Sequence, residues 1–146
     1  MISSGGQPEE NDMEHASGNI LIVDTNASDH KRLKSKLNQC GFTVVCVEDG
    51  LDAIRVFVEE RFDLVLTDLS IPGLNGNLLA RYFHNLSEEA FVVAVTATPW
   101  LANDAFDLVI AKPYEAKFMA DAITYCGTHD VSRLEPVERP GYQPKA

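Results

Sequence analysis

The sequence lacks the motifs and long apolar runs that mark several common classes of protein. Neither a GxGxxG nor a GxxxxGK[ST] loop occurs, so the usual glycine-rich phosphate loops are absent. No stretch approaches the roughly 20 apolar residues that a membrane-spanning helix needs. The three cysteines, Cys40, Cys46 and Cys126, form no CxxC or zinc-binding spacing, and we expect them to be buried, reduced thiols.

Positive charge is also scarce. The 12 lysines and arginines stand against 22 acidic residues, which gives a net charge of -10 and argues against a direct nucleic-acid partner. The N-terminal residues show no basic patch followed by an apolar run, as a signal peptide would. We therefore expect a soluble, cytoplasmic protein that has no membrane association.

The two ends of the chain show no apolar period. Residues 1–18 are rich in glycine and acidic residues, and residues 128–146 contain Pro136, Pro140 and Pro144. Such segments bury too little apolar surface to offset the entropy lost on ordering. We predict a disordered acidic arm at residues 1–18, one folded domain at 19–127 and a flexible, proline-containing tail at 128–146.

Between these ends, short apolar runs alternate with amphipathic segments. This alternation predicts an α/β fold, in which helices cover both faces of a parallel sheet. The segment between Thr96 and the fifth apolar run has room for little more than two helical turns, and Pro99 disfavours helix at Thr98. Gly127 is expected to end the last helix. The predicted strands are 20–23, 43–47, 64–66, 91–95 and 108–110, and the predicted helices are 28–40, 51–60, 76–86 and 115–126.

Four polar residues lie at or just past the carboxyl ends of predicted strands: Asp24, Asp68, Thr96 and Lys112. Ligands of open parallel sheets bind at that edge, so these side chains are candidates for one site. The combination suits phosphoryl transfer. One carboxylate can act as the nucleophile and the other can hold Mg²⁺, while the ammonium and hydroxyl groups bind phosphoryl oxygens.

At this point the chain resembles the receiver domain of two-component response regulators, the module of the chemotaxis regulator. The resemblance implies a flavodoxin-like, doubly wound sheet of five parallel strands in the order 2-1-3-4-5, here with the fourth helix short or missing. It covers residues 19–127, and the segments that carry it are Ile20–Asp24, Val47–Gly50, Leu64–Asp68, Ile71–Gly76, Val95–Ala97 and Ala111–Tyr114.

The resemblance implies a role for each matching residue. Asp68 matches the aspartate that accepts a phosphoryl group from a histidine kinase. Mg²⁺ would be bound by Asp24, Asp68 and the backbone carbonyl of Ser70. Thr96 matches the switch hydroxyl that turns toward the phosphoryl group, and Lys112 matches the lysine that contacts it. The peptide bond that follows this lysine is often cis in the family.

The sequence departs from the family pattern in three ways. Thr25 stands where a second acidic residue usually follows the first strand, which should weaken Mg²⁺ binding and slow phosphorylation. The segment from Thr96 to Lys112 is several residues shorter than usual. Val109 replaces the aromatic residue that usually swings with the switch hydroxyl, so that relay should be altered or missing.

Two hypotheses follow from the resemblance, and a third comes from another class. The first is a receiver that phosphorylation of Asp68 switches, and the second is a degenerate receiver that acts as a phosphorylation-independent interaction module. Neither is an enzyme in the usual sense. The partners would be a histidine kinase or phosphotransfer protein and a downstream protein, with homodimer formation left open. The third hypothesis is a haloacid-dehalogenase-type phosphatase with Asp24 as nucleophile, but Asn26 stands where that motif needs a second aspartate.

Trp100 and the histidines have simpler interpretations. We expect Trp100 to cover the core where a helix is missing, with a role as a partner anchor as the alternative. The four histidines, His15, His30, His84 and His129, show no ligand spacing and are expected at the surface.

Overall fold

The computed structural model describes residues 18–128, except for a few side chains at the start of the first helix and the end of the last. The strands are β1 (Gly18–Val23), β2 (Phe42–Val47), β3 (Leu64–Thr67), β4 (Phe91–Thr96) and β5 (Leu108–Ala111), and the helices are α1 (Ala27–Gln39), α2 (Gly50–Glu59), α3 (Gly76–Leu86) and α4 (Ala116–Thr128). The five strands are parallel and form one sheet in the order β2-β1-β3-β4-β5, which confirms the predicted strand order.

The central strand β3 explains why its sequence is apolar on both faces. It pairs with β1 on one side and β4 on the other, and all four of its residues are buried. Alternate side chains enter two separate cores, as expected for a strand covered by helices on both faces. Val65 packs with α2 and α3, whereas Leu64 and Leu66 pack with α1 and α4.

The helices begin where the sequence supplies capping residues. The Asp49 carboxylate accepts hydrogen bonds from the amides of Leu51 and Asp52 at the start of α2. The Asn75 side chain accepts one from the Leu78 amide at the start of α3. Such caps satisfy amides that have no partner within the helix. They fix the beginning of each helix next to the carboxyl edge of the sheet.

The crossover between β4 and β5 contains a single 3₁₀ turn, Pro99–Leu101. The prediction that Trp100 covers the core is wrong, because this side chain is 55% exposed. Ala102 and Phe106 are buried there instead. Asn77 of α3 holds the crossover: its Nδ2 donates to the Leu101 carbonyl at 3.0 Å, and its Oδ1 accepts from the Asn103 amide at 2.8 Å.

Several details differ from the sequence prediction. Helix α4 continues through Gly127 to Thr128, so this glycine does not end it. Cys40 and Cys46 are free but only partly buried. The predictions for the Cys126 side chain, the acidic arm and the proline-containing tail concern parts of the chain that the structure does not describe. No helix within residues 18–128 is long and apolar enough to cross a membrane.

Candidate functional site

Three of the four predicted site residues meet at the carboxyl edge of the sheet. Asp24 follows β1, Asp68 follows β3 and Lys112 follows β5. The Nζ atom of Lys112 lies 2.9 Å from Asp24 Oδ2 and 2.9 Å from Asp68 Oδ2. One ammonium group therefore bridges two carboxylates that are 44 residues apart in the chain.

Backbone hydrogen bonds place each of these residues one step beyond its strand. The Asp24 amide donates to the Val47 carbonyl at 3.1 Å, and the Asp68 amide donates to the Val23 carbonyl at 3.2 Å. The Lys112 amide donates to the Thr96 carbonyl at 2.8 Å. The parallel pairing thus continues past the strand ends and fixes the backbone beneath all three side chains.

The second oxygen of each carboxylate is also bound. Asp24 Oδ1 accepts from the Asn26 amide at 2.9 Å, and Asp68 Oδ1 accepts from the Leu69 amide at 2.6 Å. The side chains are mostly buried, with exposed fractions of 10% for Asp24, 18% for Asp68 and 17% for Lys112. Their orientation is therefore set before any ligand arrives.

The electrostatic balance of the cluster favours a further cation. Burial opposes the charge of Lys112, but hydrogen bonds and attraction from Asp24 and Asp68 outweigh it and raise the pKa of this lysine above its ordinary value. Lys112 is therefore charged at neutral pH. Two carboxylates and one ammonium leave one excess negative charge at the site.

A close backbone approach shapes the loop behind Asp68. A Cβ atom on Gly76 would collide with the Asp68 carbonyl oxygen, so only glycine fits at this first residue of α3. The Gly76 amide donates to the Leu69 carbonyl at 2.9 Å. Ser70 lies on the exposed loop between them.

Thr96, the fourth predicted residue, is buried, but its hydroxyl group is not hydrogen-bonded to Asp24, Asp68 or Lys112. Its Oγ1 accepts from the Thr98 amide at 3.0 Å and lies 3.2 Å from Thr98 Oγ1. Val109 is buried beside β4, opposite Ala94. The hydroxyl is therefore engaged within its own loop, and no aromatic side chain occupies position 109.

The oxygen ligands available at the site fit a magnesium ion, although only two of them come from carboxylates. Among residues 18–128 no group of three or more His, Cys, Asp and Glu side chains could hold a metal. The carboxylates of Asp24 and Asp68 and the carbonyl of Ser70 would offer oxygen ligands only, which Mg²⁺ prefers. Thr25 is exposed next to Asp24 and offers a hydroxyl group, not a carboxylate.

His30 is a buried residue beside Asp24 and Asp68 that the sequence interpretation missed. The prediction of a surface histidine is wrong, because His30 is 8% exposed and its Nδ1 is a buried atom with no hydrogen-bond partner within the described part of the chain. It lines a cavity of about 10 Å³ together with Asp24, Thr67 and Asp68. The spacing of His30 relative to Leu33 and Leu37 could have shown that it faces inward.

Of the other three histidines, the structure describes His84. His84 is partly buried, with Nε2 3.1 Å from Asp107 Oδ2 on the far side of the sheet. His15 and His129 lie outside the described residues.

The Lys112–Pro113 peptide bond is cis. A larger cavity of about 320 Å³ opens beside Lys112 and is lined by Arg32, Ala97, Lys112, Pro113, Tyr114 and Ala116.

Comparison with protein families identifies one match that spans most of the chain. The model of the response regulator receiver domain matches residues 20–124. The transcriptional regulatory protein YpdB of Escherichia coli K12 is 36% identical over 72 residues, which are 47% of this chain and 30% of that protein. The sensor histidine kinase RcsC of Salmonella typhimurium is 32% identical over 78 residues, or 53% of this chain and 8% of the kinase. The chain thus spans less than a third of either curated relative.

Solved structures show the same architecture. The response regulator TrrA of Thermotoga maritima, in complex with Mg²⁺ and BeF, superposes with a TM-score of 0.65 at 25% identity, over 72% of this chain and 95% of that one. The receiver domain of a signal-transduction histidine kinase from Syntrophus aciditrophicus gives a TM-score of 0.66 at 25% identity, over 81% and 95%.

Proposed function

The chain belongs to the response regulator receiver domain family of two-component systems, and we propose that Asp68 accepts a phosphoryl group from a histidine kinase or a phosphotransfer protein. The observation that carries the proposal is the contact of Lys112 Nζ with both carboxylates at 2.9 Å. It puts an ammonium group beside the nucleophile, where it can interact with the oxygens of an incoming phosphoryl group.

The transfer needs one bond exchange. A carboxylate oxygen of Asp68 attacks phosphorus, the bond from phosphorus to the donor nitrogen breaks, and the bonding pair returns to that nitrogen. Asp24 and the Ser70 carbonyl would hold Mg²⁺ together with Asp68. When bound, Mg²⁺ supplies positive charge for the phosphoryl oxygens.

The proposed response to phosphorylation starts from Thr96. Its hydroxyl would exchange Thr98 for a phosphoryl oxygen, which would favour one of two conformations of the loop after β4. Because residue 109 is valine, the signal would leave by a route other than an aromatic side chain. We propose that the output is docking onto a downstream protein in the cytoplasm.

Labelling with acetyl phosphate tests the proposal. The wild type should take up phosphate in the presence of Mg²⁺, and Asp68→Asn should abolish the uptake. Asp52→Asn is the matched control, because Asp52 is an exposed carboxylate on α2, and it should label like the wild type. Labelling that persists in Asp68→Asn would contradict the proposal.

A degenerate receiver is the second candidate, and specific observations favour it. Thr25 leaves the site one carboxylate short, and the described residues contain no acidic group of three that could hold a metal. Beryllofluoride with Mg²⁺ distinguishes the two candidates. A phosphorylatable receiver should show shifted amide resonances around Asp68, whereas an unchanged spectrum at millimolar Mg²⁺ would favour the constitutive interaction module.

A further inference from the structure

His30 lies in the first turn of α1, and its ring is enclosed. The helix spans Ala27–Gln39, and the face that carries His30, Leu33 and Leu37 is buried. The flanking basic residues Lys31 and Arg32 are exposed. The histidine therefore occupies a core-facing position, which an apolar side chain could fill without burying an unpaired polar atom.

The Nδ1 atom of His30 is buried and has no hydrogen-bond partner among the groups that the structure describes. Buried polar atoms in folded proteins are nearly always paired, and an unpaired one calls for a ligand or a function. Neutral imidazole has one donor nitrogen and one acceptor nitrogen, so Nδ1 can take either role. The groups around Nδ1 determine whether it donates or accepts a hydrogen bond.

Asp24 and Asp68, the two aspartates of the site, also line the cavity that His30 lines. Its other polar lining residues are Thr67 and Tyr114, and its volume is about 10 Å³. That volume holds about one water molecule. A partner for Nδ1 within this cavity must therefore be as small as water and must sit beside Asp24 and Asp68.

We propose that His30 belongs to the cation site and that Nδ1 accepts a hydrogen bond from a water molecule in the coordination shell of the divalent cation bound by Asp24 and Asp68. The inference rests on the proposed function, which calls for that cation. A cation polarises its bound water and makes it a strong donor, so an acceptor nitrogen suits the position. His30 would then be the Nε2–H tautomer.

This role would compensate for Thr25. The family pattern has a second carboxylate there to help hold the cation, and the threonine is exposed instead. A buried acceptor on α1 lies beside the cavity that Asp24 and Asp68 line, and it adds no charge. His30 is thus a positioning residue for the hydrated cation and not a nucleophile.

The test is Mg²⁺ titration of the full chain, followed by NMR of the histidine rings and of the amides around Asp68. We expect the ring nitrogens of His30 to shift on saturation while those of His84 stay in place. His30→Phe, which keeps the ring shape and removes the acceptor, should raise the Kd for Mg²⁺ about tenfold. His30→Asn keeps an acceptor at the same number of bonds from Cβ and should stay within threefold of the wild type. His84→Gln is the control and should bind normally.

Several results would overturn the inference. One is a folded His30→Phe protein that binds Mg²⁺ within twofold of the wild type. Another is a His30 ring that stays unshifted while the amides around Asp68 respond, and a third is no response to Mg²⁺ anywhere near Asp68. The proposed function is judged separately by acetyl phosphate labelling. A wild type that is labelled at Asp68, with a His30 ring that ignores Mg²⁺, refutes only the inference.

Discussion

Removing the shared ammonium group tests how the site is held together. Lys112→Met keeps most of the apolar stem of the side chain and deletes the charge. Asp24 Oδ2 and Asp68 Oδ2 each lie 2.9 Å from Nζ, so they are separated by at most twice that distance. At an effective dielectric constant of 20, two unit charges at that separation repel by about 3 kcal/mol.

Deleting the ammonium group also leaves both buried carboxylates without the hydrogen bonds that Lys112 donates. We therefore expect Lys112→Met to lower the free energy of unfolding by about 3–5 kcal/mol, in the range found when one partner of a buried ion pair is deleted. The double variant Lys112→Met with Asp68→Asn should recover most of the loss, because only one carboxylate remains.

Urea unfolding followed by far-ultraviolet circular dichroism, with EDTA present, measures these differences. Added Mg²⁺ should stabilise Lys112→Met by about 1.4 kcal/mol at ten times its Kd. Lys117→Met is the control, because Lys117 pairs with Asp121 on an exposed surface, and it should change stability by less than about 0.5 kcal/mol. A Lys112→Met protein within 1 kcal/mol of the wild type, or a double variant less stable than the single one, would refute the reasoning.

Three further predictions concern the same edge of the sheet. Thr25→Asp adds a carboxylate beside the site and should lower the Kd for Mg²⁺ on the order of tenfold, as measured by titration of the amide resonances. Gly76→Ala forces a Cβ atom into the Asp68 carbonyl and should cost about 1–3 kcal/mol, seen as a lower Tm. The pKa of Lys112 is raised in the folded state, so its contribution is complete below the unfolded value of about 10.4 and is lost as pH rises through the folded value. The difference in stability between the wild type and Lys112→Met should therefore be constant from pH 7 to 10 and shrink above that range.

The strand pattern could be predicted because it depends on local burial. Runs such as Leu64–Leu66 are apolar on both faces only where helices cover a sheet from both sides, and the ends of those runs locate Asp24, Asp68 and Lys112. Trp100 was harder to place. Its exposure depends on which crossover residues reach the core, and the smaller Ala102 and Phe106 do so because Asn77 fixes the loop from α3. No local pattern around Trp100 contains that tertiary contact.

His30 illustrates how a site can include a residue that lies outside its sequence motif. The residues that follow the strands are found by their positions at the sheet edge, whereas His30 comes from a helix that packs over the sheet. Composition favours a surface position for a lone histidine, but the helical spacing to Leu33 and Leu37 favours the core, and here the spacing prevails. His30 and Asp24 line one cavity, and Thr25 is the residue that follows Asp24 in the chain. A family motif that has lost one acidic residue is therefore a reason to search the neighbouring helix for a polar group, since the groups that hold and orient a metal ion come from all the elements that enclose it.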